Sequence, residues 1–467
     1  MALHERLSSV DTAWLRMDRP TNLMMICGVM MFATRPELQQ LRSLVARRML
    51  CFHRFSQRIV DNGLTADWVT DSHFDLDWHV RQIALPDAAG HEELEQVVGD
   101  LISTPLDPSK PMWQFHLIAM RDGASALVLR IHHCYGDGFG LMHVVNAMTD
   151  LDPDQPLSPA ADLGGPASRR TTWERVLGPV TEVIGDVGRL AGDLITQGAD
   201  MLARPDKAME VARNGIGLAA QAALIAAMTP DSVTRFKGSL GVMKRVAWAD
   251  SLSLFEVKAV AEAFSCSIND VLLAAVSGAL RTYLMQQGDV LDAVEIRALV
   301  PVNLRPPGPV TELGNHFGLV FLDLPLNLAD PVQRLREVSH RMALLKHSRQ
   351  PLVALGILAG LGVAPALLRE RILEALAANA TAVMTNVPGS REPRYLAGQK
   401  IDRQIFWVPQ SGGIGIGVSI LSYAGKVNFG VVADVRRVPD PATLVSLFAG
   451  QFEILLDLAM WQLCAPP

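Results

Sequence analysis

Two adjacent histidines, an aspartate and a glycine close one apolar run, residues 126–138, ALVLRIHHCYGDG. An imidazole titrates near neutrality and serves as a general base once its ring and tautomer are held. Strand alternation sends Leu127, Leu129, Ile131 and His133 to one face, and Val128, Arg130 and His132 to the other. His133 thus ends a buried apolar row, between strand backbone and a polar turn carrying Asp137 and Gly138. Asp137, four residues on, is a candidate orienting carboxylate, as in a triad. Gly138 permits a tight turn or close approach of a substrate. His132 faces away and suits packing and hydrogen bonding. Cys134 raises a cysteine nucleophile, but if the strand persists one residue its thiol points away from the His133 ring. A zinc site through His132, His133, Asp137 and His143 is disfavoured, because adjacent strand histidines diverge and zinc needs convergence.

The elements that must hold these residues follow from patterning. A chain of 467 residues, 49% hydrophobic and 19% charged, is too long for one ordinary core and points to two domains. A net charge of −6 gives no reason to expect nucleic acid. Five scattered cysteines form neither a disulfide framework nor a zinc pattern, which fits a reducing cytosol. Glu5, Arg6, Asp11, Arg16 and Asp18 interrupt any secretory signal at the N-terminus.

Residues 7–32 read as a helix capped by Ser9 or Asp11, a turn at Pro20, and a strand. Met24, Met25, Met30 and Met31 belong to that core strand or line an acyl chain. A helix is expected at 38–50, an alternating strand at 74–80, and a strand at 113–120 whose Trp113 fills space beneath the site. Residues 152–170 are Pro- and Gly-rich and read as a linker, with helical periodicity over 172–228. In the second half, helices are expected at 254–264 and, capped around Ser267 to Asp270, at 271–284. Strands follow at 294–305 and 319–326, with a hairpin at 414–434. A basic stretch, 334–349, precedes an uncharged one, 351–368, broken by Pro365 and three glycines. Periodicity leaves two readings open there, an interfacial anchor or a buried helix.

His132-His133-x-x-x-Asp137-Gly138 resembles the motif of CoA-dependent acyltransferases built like chloramphenicol acetyltransferase and the condensation domains of peptide synthetases. Within that superfamily the chain is similar to the bacterial wax ester synthase/acyl-CoA:diacylglycerol acyltransferases. Further matches are Leu7-Ser8-x-x-Asp11, Pro105-Leu106-Asp107, Pro111-Met112-Trp113 (Met112 replacing the usual Leu), Asn269-Asp270, and Pro301-Val302-x-x-Arg305. Thr385-Asn386-Val387-Pro388-Gly389, Leu421-Ser422-Tyr423 and Asn428-Phe429-Gly430 extend the likeness over nearly the whole chain.

The resemblance implies an α/β fold of two chloramphenicol-acetyltransferase-like half-domains, each a mixed sheet with flanking helices. The expected division is 1–151, a linker and helical connector at 152–241, and 242–467, with the catalytic histidine only in the first half. It implies acyl transfer from a long-chain acyl-CoA to a fatty alcohol or diacylglycerol, His133 acting as base without an acyl-enzyme. It also implies that Asp137 makes a structural ion pair, for which Arg305 is the candidate partner. Asn269, Thr385 and Asn386 are candidate oxyanion donors. Asp270, Pro388, Gly389, Ser422 and Tyr423 are further substrate-side candidates. No metal or cofactor is expected beyond the coenzyme A thioester as co-substrate. The expected setting is cytoplasmic, with peripheral contact to a membrane or lipid droplet through 334–368. Two other readings stay open: a same-fold acyltransferase for smaller alcohols, and a non-catalytic lipid- or CoA-binding relative.

Overall fold

The computed structural model describes residues 5–154 and 228–464, apart from 64, 86–89, 306–312, 347, 349, 365 and 411. Most of the expected linker and connector, 155–227, lies outside the described residues.

The first half supplies α1 (Ser9–Arg16), β1 (Met25–Phe32), β2 (Val80–Ala84), β3 (Trp113–Ala119), β4 (Ser125–His132) and α2 (Gly138–Met148). The second supplies β5 (Lys244–Trp248), α3 (Leu254–Ala263), α4 (Ile268–Gln286), β6 (Ile296–Asn303) and β7 (Phe317–Leu324). Helices α5 (Pro331–Lys346), α6 (Gln350–Val363) and α7 (Ala366–Ala378) follow. The chain then forms β8 (Ala382–Pro388), β9 (Arg403–Trp407), β10 (Ile416–Tyr423), β11 (Lys426–Asp434) and α8 (Pro441–Cys464).

Two mixed sheets result, as the α/β expectation requires. The first runs β9-β1-β4-β3-β2, with β3 and β2 parallel. The second runs β7-β6-β8-β10-β11-β5, with β8 parallel to both β6 and β10. Edge strand β9 belongs to the C-terminal half yet pairs antiparallel with β1. The first sheet is therefore not made from residues 1–151 alone.

The faces of β4 follow the alternation. Leu127, Leu129 and Ile131 join a core with α1 and α6, while Ala126 and Val128 pack against Val246 and Trp248 of β5. Met24, Met25 and Met30 are buried, as a core strand demands.

Several local expectations need correction. Ser8 caps α1, its Oγ accepting the Asp11 N–H at 3.0 Å. The helix expected at 38–50 is α-helical only over Leu38–Leu44 and widens to a π turn over Val45–Met49. Residues 74–80 are not one strand: Asp75 caps a helical turn, Leu76–His79, by accepting the Asp77 N–H at 2.9 Å. That turn brings His79 onto Trp113, ring centroids 4.3 Å apart.

The apolar stretch after residue 350 is a core helix. Helix α6 buries Val353, Leu355, Leu358 and Leu361. Glycines set how closely it lies. A Cβ on Gly318 of β7 would fall 2.0 Å from the Pro351 carbonyl oxygen, and one on Gly362 would fall 1.8 Å from that of Ser9. The basic helix α5 also turns charge inward. Arg334 donates to the Leu328 carbonyl and to Gln451, and Arg341 pairs with Glu295 and Glu337. Both arginines are engaged by protein, whereas Leu344 and Leu367 of the same stretch, 334–368, are exposed. Among the described residues one helix, Pro441–Gln462, is long and apolar enough to cross a membrane. Its Phe448, Phe452 and Leu455 lie in the second-half core instead.

Gly362→Ala forces α6 off α1, because the new Cβ would meet the backbone of Ser9 and Ala13, which cannot swing aside. We expect a loss of about 1–3 kcal/mol, the range for overpacking, read from urea unfolding midpoints, and a parallel fall in activity because α1 carries part of the site.

Candidate active site

Strand β4 ends at His132, and His133–Tyr135 form a single 3₁₀ turn. The His133 N–H donates to the Met24 carbonyl at 2.7 Å, and its carbonyl accepts from Asn315 Nδ2 at 2.8 Å. Its side chain is 3% exposed. The ring stacks on Trp14 of α1, centroids 4.1 Å apart and planes 19° apart, and lies 5.7 Å from the Phe317 ring of β7. Elements of both halves thus close on one imidazole. Its Nδ1 is buried and has no hydrogen-bond partner among the described residues. Burial pushes the pKa down to about 4, against the opposing pull of the Asp137 charge. A ring so held is neutral at pH 7 and able to take a proton.

Asp137 does not orient it. Its carboxylate caps α2 through the Gly140 N–H at 2.8 Å and accepts the His316 N–H at 2.8 Å. Both oxygens lie 2.6 Å from one guanidinium nitrogen of Arg305, which also donates to the Gly314 carbonyl at 2.8 Å. The carboxylate is fully engaged, so the triad reading gives way to the ion pair. This pair clamps the turn of the first half to the β6–β7 connection of the second.

Gly138 needs no special backbone conformation, since it opens α2 and a Cβ there would meet nothing within 4 Å. The space beside it is an apolar cavity of about 30 Å³ lined by Gly138, Leu141, Met142, Thr385, Val387 and Phe406, among others. A side chain at 138 would project into that space.

The thiol of Cys134 lies 3.0 Å from His132 Nδ1, because the strand does not continue past His132. Burial holds it well above the usual thiol range. A nucleophilic thiolate is not available there. His132 itself is pushed down to about 3 by burial and the neighbouring His133. His143 Nε2 is buried, its ring edge-on to Phe52. No cluster able to hold a metal ion exists among the described residues.

The oxyanion candidates divide. Thr385 lines the cavity with Gly138, its hydroxyl donating at 3.3 Å to the Val418 carbonyl. Asn386, one residue on, faces the other side of β8 and donates to Asn269 Oδ1 at 2.9 Å. Asn269 and Asn386 thus engage each other away from that cavity. Asp270 caps α4 reciprocally with Ser267 and accepts from the Ser339 hydroxyl at 3.0 Å. Gly389 donates to the Ser422 carbonyl at 2.8 Å, so Pro388, Gly389 and Ser422 meet at the end of β8. The buried Tyr423 hydroxyl donates to the Ile401 carbonyl at 2.9 Å and accepts the Arg394 N–H at 2.8 Å. These bonds of Asp270, Gly389 and Tyr423 shape the second half, and the second carboxylate oxygen of Asp270 is buried without a hydrogen-bond partner among the described residues.

Asn315 and Trp14 escape the motif-based reading, and Asp11 enters it only as part of Leu7-Ser8-x-x-Asp11. Asn315 Nδ2 bridges Asp11 Oδ1 and the His133 carbonyl, both at 2.8 Å. Asp11 is buried, and its pKa is raised by that burial. Trp14 covers the His133 ring and lines a second apolar cavity of about 30 Å³ with Met17, Leu319, Phe321, Leu358 and Leu373, among others. The available signal was the spacing of Asp11 and Trp14, one turn apart on a short helix.

Known proteins resemble this chain in sequence and in fold. The family model described as the wax ester synthase/diacylglycerol acyltransferase catalytic domain matches residues 7–272, and the WS/DGAT C-terminal domain matches 313–456. A Mycobacterium tuberculosis protein named a probable diacylglycerol O-acyltransferase, tgs2, is 29% identical over 377 residues, covering 80% of this chain and 79% of its own. Another from the same organism, named likewise as tgs1, is 26% identical over 452 residues, covering 94% and 93%. Among solved structures, the wax ester synthase/diacylglycerol acyltransferase of Marinobacter aquaeolei VT8 shares the fold at a TM-score of 0.68 and 23% identity, covering 98% of this chain and 100% of that one. A trichothecene 15-O-acetyltransferase from Fusarium sporotrichioides does so at 0.60 and 12% identity, covering 97% and 95%. The chain belongs to the wax ester synthase/diacylglycerol acyltransferase family of acyl-CoA-dependent O-acyltransferases.

Proposed function

We propose that this enzyme moves a long-chain acyl group from acyl-CoA to the hydroxyl of a fatty alcohol or a diacylglycerol, with His133 as general base. The supporting observation is an imidazole buried where the two halves meet, stacked on Trp14, close to Phe317 and kept neutral by its burial. The hydroxyl proton passes to that ring as the oxygen attacks the thioester carbonyl. The C–O bond forms, the tetrahedral oxyanion collapses with cleavage of the C–S bond, and the imidazolium returns the proton to the thiolate. No acyl-enzyme is needed. The lining beside Gly138 is largely apolar, which disfavours water that would compete for the thioester. Thr385 is our candidate oxyanion donor, as the one of the three candidates that lines this cavity. The names of the mycobacterial relatives favour diacylglycerol as an acceptor.

Thiol release from palmitoyl-CoA, measured with hexadecanol, diacylglycerol or butanol, tests the substrate class. We expect acceptor-dependent release that is fastest with one of the two lipids. A preference for butanol would point to a small-alcohol enzyme, and release independent of any acceptor would leave a lipid- or CoA-binding protein.

A further inference from the structure

In a hydrogen-bonded dyad a carboxylate fixes the imidazole and stabilises its cation. Here Asp137 is committed to Arg305, Gly140 and His316, and Asp11 is bonded to Asn315. What lies against the His133 ring is a π face. Trp14 stacks on it nearly parallel, and Phe317 packs against both rings, 5.9 Å from Trp14. The indole is itself held in place. One turn before it, Asp11 is tied through Asn315 to the His133 carbonyl, and α6 crosses α1 at Gly362 with backbone nearly touching. The Trp14 Nε1–H is buried without a partner. Stranding a buried donor carries a cost, and a phenylalanine would fill much of this space without it. Indole differs from phenyl in presenting the strongest π face to a cation.

We propose that Trp14 is a positioning residue for the transfer, its indole holding the His133 ring and stabilising the imidazolium formed while the proton is in transit. The assignment rests on His133 being the base. Trp14 has no contact with the reacting atoms in this role and acts only through the ring it covers.

The test compares Trp14→Phe and Trp14→Leu with the parent enzyme, each also built on His133→Ala. Acceptors are 1-hexanol and the more acidic 2,2-difluoro-1-hexanol, with palmitoyl-CoA as donor. Trp14→Leu is expected to lower kcat with hexanol about 30-fold and Trp14→Phe about threefold, following the strength of a desolvated cation–π contact. The KM for palmitoyl-CoA should stay within about twofold, because the indole does not bind the donor. The deficit should shrink with the more acidic alcohol, which leans less on the base, and should vanish on the His133→Ala background. Equal losses in the Phe and Leu variants, or losses that persist without His133, would overturn the proposal. If Trp14→Leu does not fold, the Phe variant's own deficit must still disappear on that background. A fully active His133→Ala enzyme would sink the general-base reading and this inference together. An inactive one alongside unimpaired Trp14 variants would sink only the inference.

Discussion

Replacing His133 with alanine is expected to lower kcat by about 10²- to 10⁴-fold, the usual contribution of a positioned general base. The fold should survive the change, because the two hydrogen bonds that fix this turn, to Met24 and from Asn315, are made by the main chain of His133. What is lost is the ring against Trp14 and the proton acceptor. Rate acceleration from holding donor and acceptor together should remain, so activity falls to a floor above the uncatalysed rate. The KM for palmitoyl-CoA should move little, since a group that acts mainly in the transition state contributes little to substrate binding. Thiol release at saturating palmitoyl-CoA and hexadecanol, with the variant's unfolding midpoint as a check on folding, reads this directly. A loss smaller than about fivefold would remove His133 from the chemistry.

Arg305→Met should cost about 3–5 kcal/mol of stability, as expected when one partner of a buried ion pair is deleted. The side chains of Asp137 and Arg305 are only 3% and 9% exposed, and the guanidinium is the cation on both carboxylate oxygens. Without it Asp137 keeps the N–H groups of Gly140 and His316 but loses its counter-charge. The double variant Asp137→Asn/Arg305→Met should recover part of the loss, because a neutral amide needs no cation. Urea titrations of the two variants measure both quantities. A double variant no more stable than Arg305→Met would show that the lost charge is not the cause. Activity should fall with stability, since the same β6–β7 connection carries Asn315 and leads into Phe317.

The strand bearing the histidines was legible because alternation of apolar residues is local information. Leu127, Leu129 and Ile131 face the core that the pattern assigns them, but the strand ends at His132 and His133 opens a 3₁₀ turn. The partners of the histidine were not legible, because they arrive from far along the chain. Asp137 is close in sequence and looks like an orienting carboxylate, but Arg305 and the backbone of His316 take up its oxygens. Trp14 reaches the ring only because α1 is pinned between Asn315 and α6. Asn386 and Thr385 are neighbours in the same motif, and the pleat of β8 sends them to opposite sides.

The apolar stretch at 351–368 was ambiguous for a different reason. A short uncharged run with weak periodicity describes a buried helix and a lipid-facing one equally well. One of the glycines that seemed to break it, Gly362, is what lets α6 lie against α1, and Gly318 of β7 does the same on the other side. At 74–80 the apolar alternation was real, but the side chain of Asp75 competes for the backbone and starts a turn before β2.

Burial of the His133 ring has a direct kinetic signature. The base is active only when unprotonated, and its pKa is pushed down to about 4. The buried His79, His116 and His132 and the half-buried His316 are depressed as well, to between about 3 and about 4. Between the ordinary imidazole value of about 6.5 and those folded values, the unfolded chain takes up protons that the folded one refuses. Stability is therefore lost as pH falls through that window, and rates in acid must be read by rapid pH jump before the chain unfolds. Measured in that way, kcat/KM for palmitoyl-CoA with hexadecanol should stay flat from neutral pH to about 5 and then drop about tenfold per unit below about 4. An acid limb centred near 6.5, the value of a solvated imidazole, would contradict a buried, neutral His133 as the base.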